Sequence, residues 1–397
     1  MFDKPQPLHP DTPRPSPAID RRWVLLYTAV ASLTGGMVGH GAFFLADHLY
    51  DFTAVQNLWF GLALYIPYIP GAALAGRLTR SHTLGAAATL RIVTVLMGLC
   101  ALWLVFFHDR YSLWLAIPVY NMLAGAQWPI VESYVSAGSQ GPEMRKAIGR
   151  FNLTWAMTLC PSLWIVGWLI DQPAIVFSLL TASHLTCAFL TLRWPANPPE
   201  HDAESQKLHT GPEYGQLLIS ARILLPVSYV VMYAFTPLLP SIWQKLGQAN
   251  SIGAILSSTW MFARLAAFAT MYVSRGWHGR WGALLLGSLL YIGGFALLLL
   301  APTVWVALLG LVVFGAGQGM VYYCALYYGM AVGHAKVDSG GTHETVIGIG
   351  YASGPALGLV GTVLLGGGGA VVTLICCVAA AGGVAACQPY LKARRLR

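Results

Sequence analysis

Charge is what this chain has least of. Asp, Glu, Lys and Arg together make up only 10% of its 397 residues, against roughly one quarter in soluble domains. With 56% hydrophobic residues and a mean hydropathy of +0.61, that scarcity excludes an ordinary soluble domain. No GxxxxGK[ST] segment occurs, so nothing supports ATP hydrolysis by this chain. No two cysteines have the two-residue spacing of a zinc or redox motif; Cys100, Cys160, Cys187, Cys324, Cys376, Cys377 and Cys387 all fall in apolar runs and read as small buried hydrophobes. The first apolar stretch is expected to stay in the mature protein: running from Trp23 to about Ala46, it exceeds a signal-peptide core of roughly 7 to 15 residues, and no small-residue cleavage site follows it closely.

What is present is length in apolar runs. A helix needs about 20 apolar residues to cross roughly 30 Å of hydrocarbon. Twelve segments qualify, approximately 23–46, 54–76, 85–107, 112–136, 150–170, 173–193, 218–240, 252–274, 281–301, 303–328, 345–365 and 369–388. The 43 glycines agree with this, since glycine is more frequent in membrane helices than in soluble ones. The net charge of +8 sits in short loops. With the amino terminus inside, the cytoplasmic segments, counted to include Arg91 and Arg264 in adjoining spans, hold every Lys and Arg except Arg110 and Lys245, while Asp47, Asp51, Asp109 and Asp171 fall on the other side. Short-loop Lys and Arg set orientation, so both termini are expected in the cytoplasm and the chain in a plasma (inner) membrane. The basic residues are thereby explained by topology, and no nucleic-acid partner is expected.

The expected organisation is a disordered polar tail (1–21), an N-terminal six-helix bundle (22–194), a cytoplasmic linker (195–216), a C-terminal six-helix bundle (217–390) and a basic tail (391–397). The linker holds the longest polar interruption, WPANPPEHDAESQKLHTGPEYG. The halves echo one another: Gly125-Ala126-Gln127 is answered by Gly317-Gln318 about 191 residues on, and Cys160-Pro161 by Gly354-Pro355 about 194 on. Duplicated halves are how many secondary transporters are built.

The chain resembles the major facilitator superfamily of transporters over about residues 22 to 390. The six-plus-six layout and the central loop carry most of the likeness. Pro142, Arg145 and Gly149 in GPEMRKAIG resemble the family's loop between spans 4 and 5. Gly350, Gly354, Pro355 and Gly358 in span 11 resemble the glycine-proline signature that antiporters of the family carry in span 5. The loop between spans 2 and 3, GRLTRSHTLG, departs from the family's signature by placing Arg80 where an acid is usual, and its second copy, RGWHGRW, keeps Gly279-Arg280. The resemblance implies an all-α fold of twelve transmembrane helices in two bundles, with spans 1, 4, 7 and 10 lining a central cavity and 3, 6, 9 and 12 outermost.

Within this apolar chain a few polar residues stand out. Glu132, in AQWPIVESYVS, is the only carboxylate between Asp109 and Glu143, and lies roughly 12 Å below the middle of span 4 at the helical rise. Intramembrane acids cost about 2.5–3.5 kcal/mol on insertion scales, so they pair or function. Asn121, Gly125, Trp128 and Glu132 share one helix face; Gln127 adjoins them and Pro129 frees a backbone carbonyl beside them. Glu132 reads either as a proton carrier or as an inner-gate ion pair with Arg145, Arg150 or Arg77. Arg264, near the middle of span 8, cannot shed its charge and suits bidentate recognition of carboxylate or phosphate; it either binds an anionic substrate or pairs with a carboxylate across the cavity. Gln318, Tyr322 and Tyr323 in span 10 and Tyr229 and Tyr233 in span 7 suit a site that orients an organic solute, though helix packing explains any one of them as well. His40 and His184 are candidates for proton relay or for hydrogen-bonded packing.

Gly35 and Gly39, and the ladder at 350, 354 and 358, read as small-residue packing surfaces. The stretch Ala331–Val346, with His334, Lys336, Asp338, His343 and Glu344, reads as a solvated gate loop, as does Asp47-His48-Leu49-Tyr50-Asp51; neither spacing fits a standard metal site. The expectation is therefore a monomeric secondary transporter for a small organic solute, possible proton coupling included, with no cofactor, no metal and no catalytic residues. Two alternatives remain: a membrane enzyme acting on lipid-linked substrates, against which the shortness of most loops counts, and a transporter-like sensor or assembly factor.

Overall fold

The computed structural model of the chain describes residues 20–79, 84–139, 141–199, 213–332 and 337–395. Arg80, His334 and Lys336, and most of the terminal tails and central linker, lie outside them. Among the described residues every regular element is helical. We number the helices α1 (Arg21–Tyr50), α2 (Ala54–Thr79), α3 (Ala86–Phe106), α4 (Arg110–Ser136), α5 (141–168), α6 (Pro173–Arg193), α7 (Tyr214–Lys245), α8 (Asn250–Val273), α9 (Gly282–Leu299), α10 (Val304–Val332), α11 (337–364) and α12 (Gly368–Arg395).

Ten of these twelve are long and apolar enough to cross a membrane among the described residues. The other two are α4, whose 27 residues carry Asn121, Gln127 and Glu132, and α5, which breaks into Gly141–Leu159 and Ser162–Trp168 at Cys160-Pro161. Both occupy the places of expected spans, but their polar content lowers their apolarity.

Polar caps start several helices where the apolar pattern begins. Asp20 accepts from the backbone of Arg22, and Thr53 and Gln56 form a reciprocal capping box at α2. Asp109 caps α4 by accepting from the Ser112 hydroxyl (2.7 Å) and from the backbone N–H of Ser112 and Tyr111, bonds that hold its carboxyl below the usual carboxylate range.

Among the ten apolar spans, burial is greatest in α1 and α7, with 72% of residues buried in their most apolar windows, and least in α12, with 22%. The exposed side chains of α3, α6 and α9 include Leu99, Trp103, Leu185, Phe189, Leu285 and Leu289, part of the surface that hydrocarbon would cover. With so little polarity outside, tight helix contact must come from small residues rather than from a hydrophobic drive. A Cβ at Gly71 of α2 would lie 1.9 Å from the Met122 carbonyl oxygen, and one at Gly125 of α4 would lie 2.3 Å from that of Tyr68. Backbones meet the same way at α8 and α10, where a Cβ on Gly315 would lie 2.1 Å from the Trp260 carbonyl oxygen.

The chain's two halves, α1–α6 and α7–α12, meet at both ends of the helices. At the acidic end, Asp47 is only 7% exposed and accepts hydrogen bonds from Gln244 (2.6 Å) and Asn250 (2.7 Å) of the other half. Trp164 of α5 donates to Ser258 of α8 (2.8 Å) nearby. The expectation of a solvated role thus fails for Asp47: the αL residue Asp51 ends α1 and turns the chain away, leaving Asp47 on the last helical turn against α7 and α8. At the basic end, α11 packs on α2 and α4, with Gly340 against Pro129, and a Cβ on Gly149 of α5 would lie 2.1 Å from the Tyr272 ring of α8.

Candidate functional site

Between those two closures lies a cavity of about 120 Å³. Nine helices line it: α1, α2, α3 (through Met97 alone), α4 and α5 from one half, α7, α8, α10 and α11 from the other. A larger void of about 1070 Å³ lies between α9 and α12 on the outer surface, walled by exposed Leu285, Leu289 and Val384. It faces where lipid would be, so the central cavity is the candidate site.

The first wall comes from α1. Its regular winding is interrupted by a π-turn, Met37–Gly41, a widening that recurs at functional sites. The turn sets buried His40 against the Trp260 ring (centroids 5.1 Å) and the Tyr233 ring (5.7 Å). A Cβ added at Gly35 or Gly39 would meet no atom within 4 Å, so these two glycines line the cavity instead of packing; the tight glycines of α1 are Gly36, against Ser162, and Gly41, against Val166. The glycines of α11 do pack, with Gly350 against Pro226 and Gly354 against Tyr233 and Ala234 of α7, and Pro355 meeting Gly61 of α2.

Arg264 enters from α8. It is 2% exposed, its guanidinium carbon sits 4.3 Å from the Trp260 ring centre and 5.2 Å from that of Trp155, and Nη2 points at the Met232 sulfur 3.2 Å away. Its Nε has no partner, and among the described residues no salt bridge involves it. The stem passes along α10 because position 319 is glycine: a Cβ there would lie 3.1 Å from the Arg264 Cγ.

Opposite in charge, Glu132 of α4 meets Glu344 of α11. One side-chain ligand atom from each of Glu132, His343 and Glu344 falls within 4.8 Å of the others, and all three residues are buried. The Tyr68 hydroxyl of α2 donates a hydrogen bond to Glu344. Glu132 Oε2 and His343 Nε2 lack hydrogen-bond partners. Among the described residues the expected ion pair of Glu132 with Arg77, Arg145 or Arg150 is absent. The gate-loop reading of 337–346 is also overturned, because α11 starts at Val337 and carries His343 and Glu344 inward. The reason is packing: Gly340 and Gly341 let the helix lie on α4 and α2, so a polar, glycine-rich stretch winds as helix. Two carboxylates and an imidazole are donors that could also hold a transition-metal ion.

Of the other expected residues, Asn121, Gln127, Trp128, Tyr233 and Tyr322 line the cavity. Asn121 also donates to the Leu64 carbonyl (2.8 Å), tying α4 to α2. Gly125 does not line it, being the α2 contact described above. Gln318 and Tyr323 are fully buried behind the cavity wall, Tyr323 against Phe268 and Trp277, and Gln318 with its amide unpartnered. His184 packs instead of lining, hydrogen-bonded to Tyr120 (2.9 Å). Arg145 is half-buried on α5. Gly279 and Arg280 sit in the turn before α9, beside the outer void; Gly279 has φ +68 and donates its N–H to Tyr328.

Sequence reasoning missed Tyr65, Tyr68, Trp155 and Tyr351, whose rings line the cavity. Tyr351 meets Tyr233 (4.4 Å) and Tyr68 (5.0 Å) edge-on and Tyr65 (5.3 Å) at a tilt, joining the halves. A signal was available: Glu344, Ile347 and Tyr351, at i, i+3 and i+7, share one face, and all three line the cavity.

The profile of the Major Facilitator Superfamily matches residues 24–359. No curated protein matches the sequence. Among solved structures, the nucleoside transporter NupG superposes with a TM-score of 0.66 at 12% identity, covering 93% of this chain and 99% of its own. The proton:xylose symporter XylE, bound to 6-bromo-6-deoxy-D-glucose, gives 0.64 at 12% identity, covering 91% and 94%. At such identity the likeness is one of fold.

Proposed function

Because the chain belongs to the Major Facilitator Superfamily, we propose that it is a secondary transporter that moves a small organic solute by alternating access, coupled to protons through Glu132 and Glu344. The observation that carries this reading is a cavity lined by both halves, with contacts between the halves at the acidic and basic ends of the helices. Opening either end requires only that the halves rock apart there, which exposes the cavity to one side at a time. The basic end faces the cytoplasm in this reading.

The acid pair supplies the coupling. Two unit charges about 4 Å apart cost roughly 4 kcal/mol at an effective dielectric of 20, so buried carboxyls this close share a proton instead of both ionising. Glu132 belongs to one half and Glu344 to the other. Opening the basic end therefore pulls the pair apart and wets each member, which releases the proton; closing it requires a proton again. That XylE is a proton:xylose symporter on the same fold is consistent with this.

The test is uptake of a metabolite panel into proteoliposomes under an imposed pH gradient. Wild-type chain accumulates solute against its gradient, whereas Glu132→Gln exchanges solute across the membrane but does not accumulate it. Gradient-driven accumulation by Glu132→Gln would sink the coupling. Chelators should leave uptake unchanged; loss of uptake in their presence, restored by one divalent ion, would replace the shared proton with a metal.

A further inference from the structure

We propose that the transported solute is a compact organic anion whose carboxylate is held by Arg264, a specification that rests on the transporter reading above. A guanidinium does not deprotonate in a protein, and a buried charge is retained only where something compensates it. Here the ring faces of Trp155 and Trp260 and the Met232 sulfur surround the group, but none carries a negative charge. The cavity's only acids, Glu132 and Glu344, are engaged with one another and with Tyr68 across the halves. The wall thus holds a positive charge that no acid contacts among the described residues, and the single negative charge that a proton-sharing pair keeps is held between Glu132 and Glu344.

The surroundings favour a carboxylate in particular. Arg264 Nε has no partner, so its N–H is free to donate to a carboxylate oxygen. Tyr229, Tyr233 and Tyr322 line the same space and offer hydroxyls, and His40, with an unpartnered Nδ1, stands between Tyr233 and Trp260. Tyr65, Trp155 and Tyr351 also line the space, so aromatic area is available to the body of the solute. The closed cavity, about 120 Å³, is well below the roughly 300–1,000 Å³ of drug-sized sites, which restricts that body to a few atoms or a single ring.

The experiment measures thermal stabilisation of the purified full chain in nanodiscs by a panel of small carboxylates, from lactate to benzoate, each beside its neutral amide. The acids that fit should raise the melting temperature saturably, and their amides should not. Arg264→Lys should weaken that binding tenfold or more, and Arg264→Gln should abolish it while keeping the ligand-free melting transition. Amides binding as well as acids, no acid binding at all, or undiminished acid binding by Arg264→Gln would each overturn the proposal. The acid–amide comparison uses the unaltered chain, so it decides the matter even if a variant fails to fold. A carboxylate that binds through Arg264 but does not cross proteoliposomes would instead overturn the transporter reading and leave the anion site standing.

Discussion

Glu132 shows how one residue's meaning depends on a partner far along the chain. An acid paired with arginine and an acid paired with another acid respond oppositely to neutralisation. Breaking a buried ion pair by removing one partner costs about 3–5 kcal/mol, because the other charge is stranded. Replacing one of two acids that already share a proton by an amide, which can still donate a hydrogen bond to the other, strands nothing. Glu132→Gln is therefore expected to melt at or above the wild-type temperature, and a fall equivalent to about 3 kcal/mol would point back to a hidden cationic partner. The sequence showed that Glu132 and Arg264 were anomalous, since each interrupts a long apolar run. It could not show that one faces an acid and the other faces none, because those facts arise from tertiary contacts such as the one between α4 and α11. Residues whose interest lies only in such contacts, Tyr65 and Trp155 among them, carried no local mark.

At the level of elements, glycine sorts into two roles that the sequence pattern alone does not separate. Gly71 and Gly125 face neighbouring backbone, which cannot swing aside. Alanine at either position should cost toward the upper end of the roughly 1–3 kcal/mol of overpacking, read as a lowered melting temperature. Gly35→Ala, where a Cβ meets nothing within 4 Å, should leave the melting temperature nearly unchanged. Both kinds occur at helical spacing in apolar surroundings, so spacing reads as packing in either case. Helix positions were legible because twenty apolar residues are hard to mistake, but helix starts were not. α11 begins eight residues before its expected span, at Val337 and not 345, since a polar first turn buried against another helix looks like a loop on hydropathy.

For the whole molecule, the all-helical membrane fold was legible from hydropathy, while the two closures were not. They depend on how the halves lean together. Asp47 is the clearest case, reading as a solvated loop acid and serving as acceptor for Gln244 and Asn250. Asp47→Ala removes both bonds, and the acidic end should then spend more time open. In a chain whose native cysteines are replaced, Gly35→Cys sits in the cavity; an impermeant maleimide applied from the acidic side should label it several-fold faster with Asp47→Ala than without. Equal labelling rates would show that the contact does not hold the end shut.

Contacts between the halves at both ends also set a kinetic signature. If a solute must wait for those contacts to part before it reaches Arg264, the observed association rate should level off at high concentration, at the rate with which one end opens. Departure is throttled by the same step. Residence times should then follow the strength of the hydrogen bonds at Asp47 as much as the chemistry of the solute, and a slow ligand need not be a tight one.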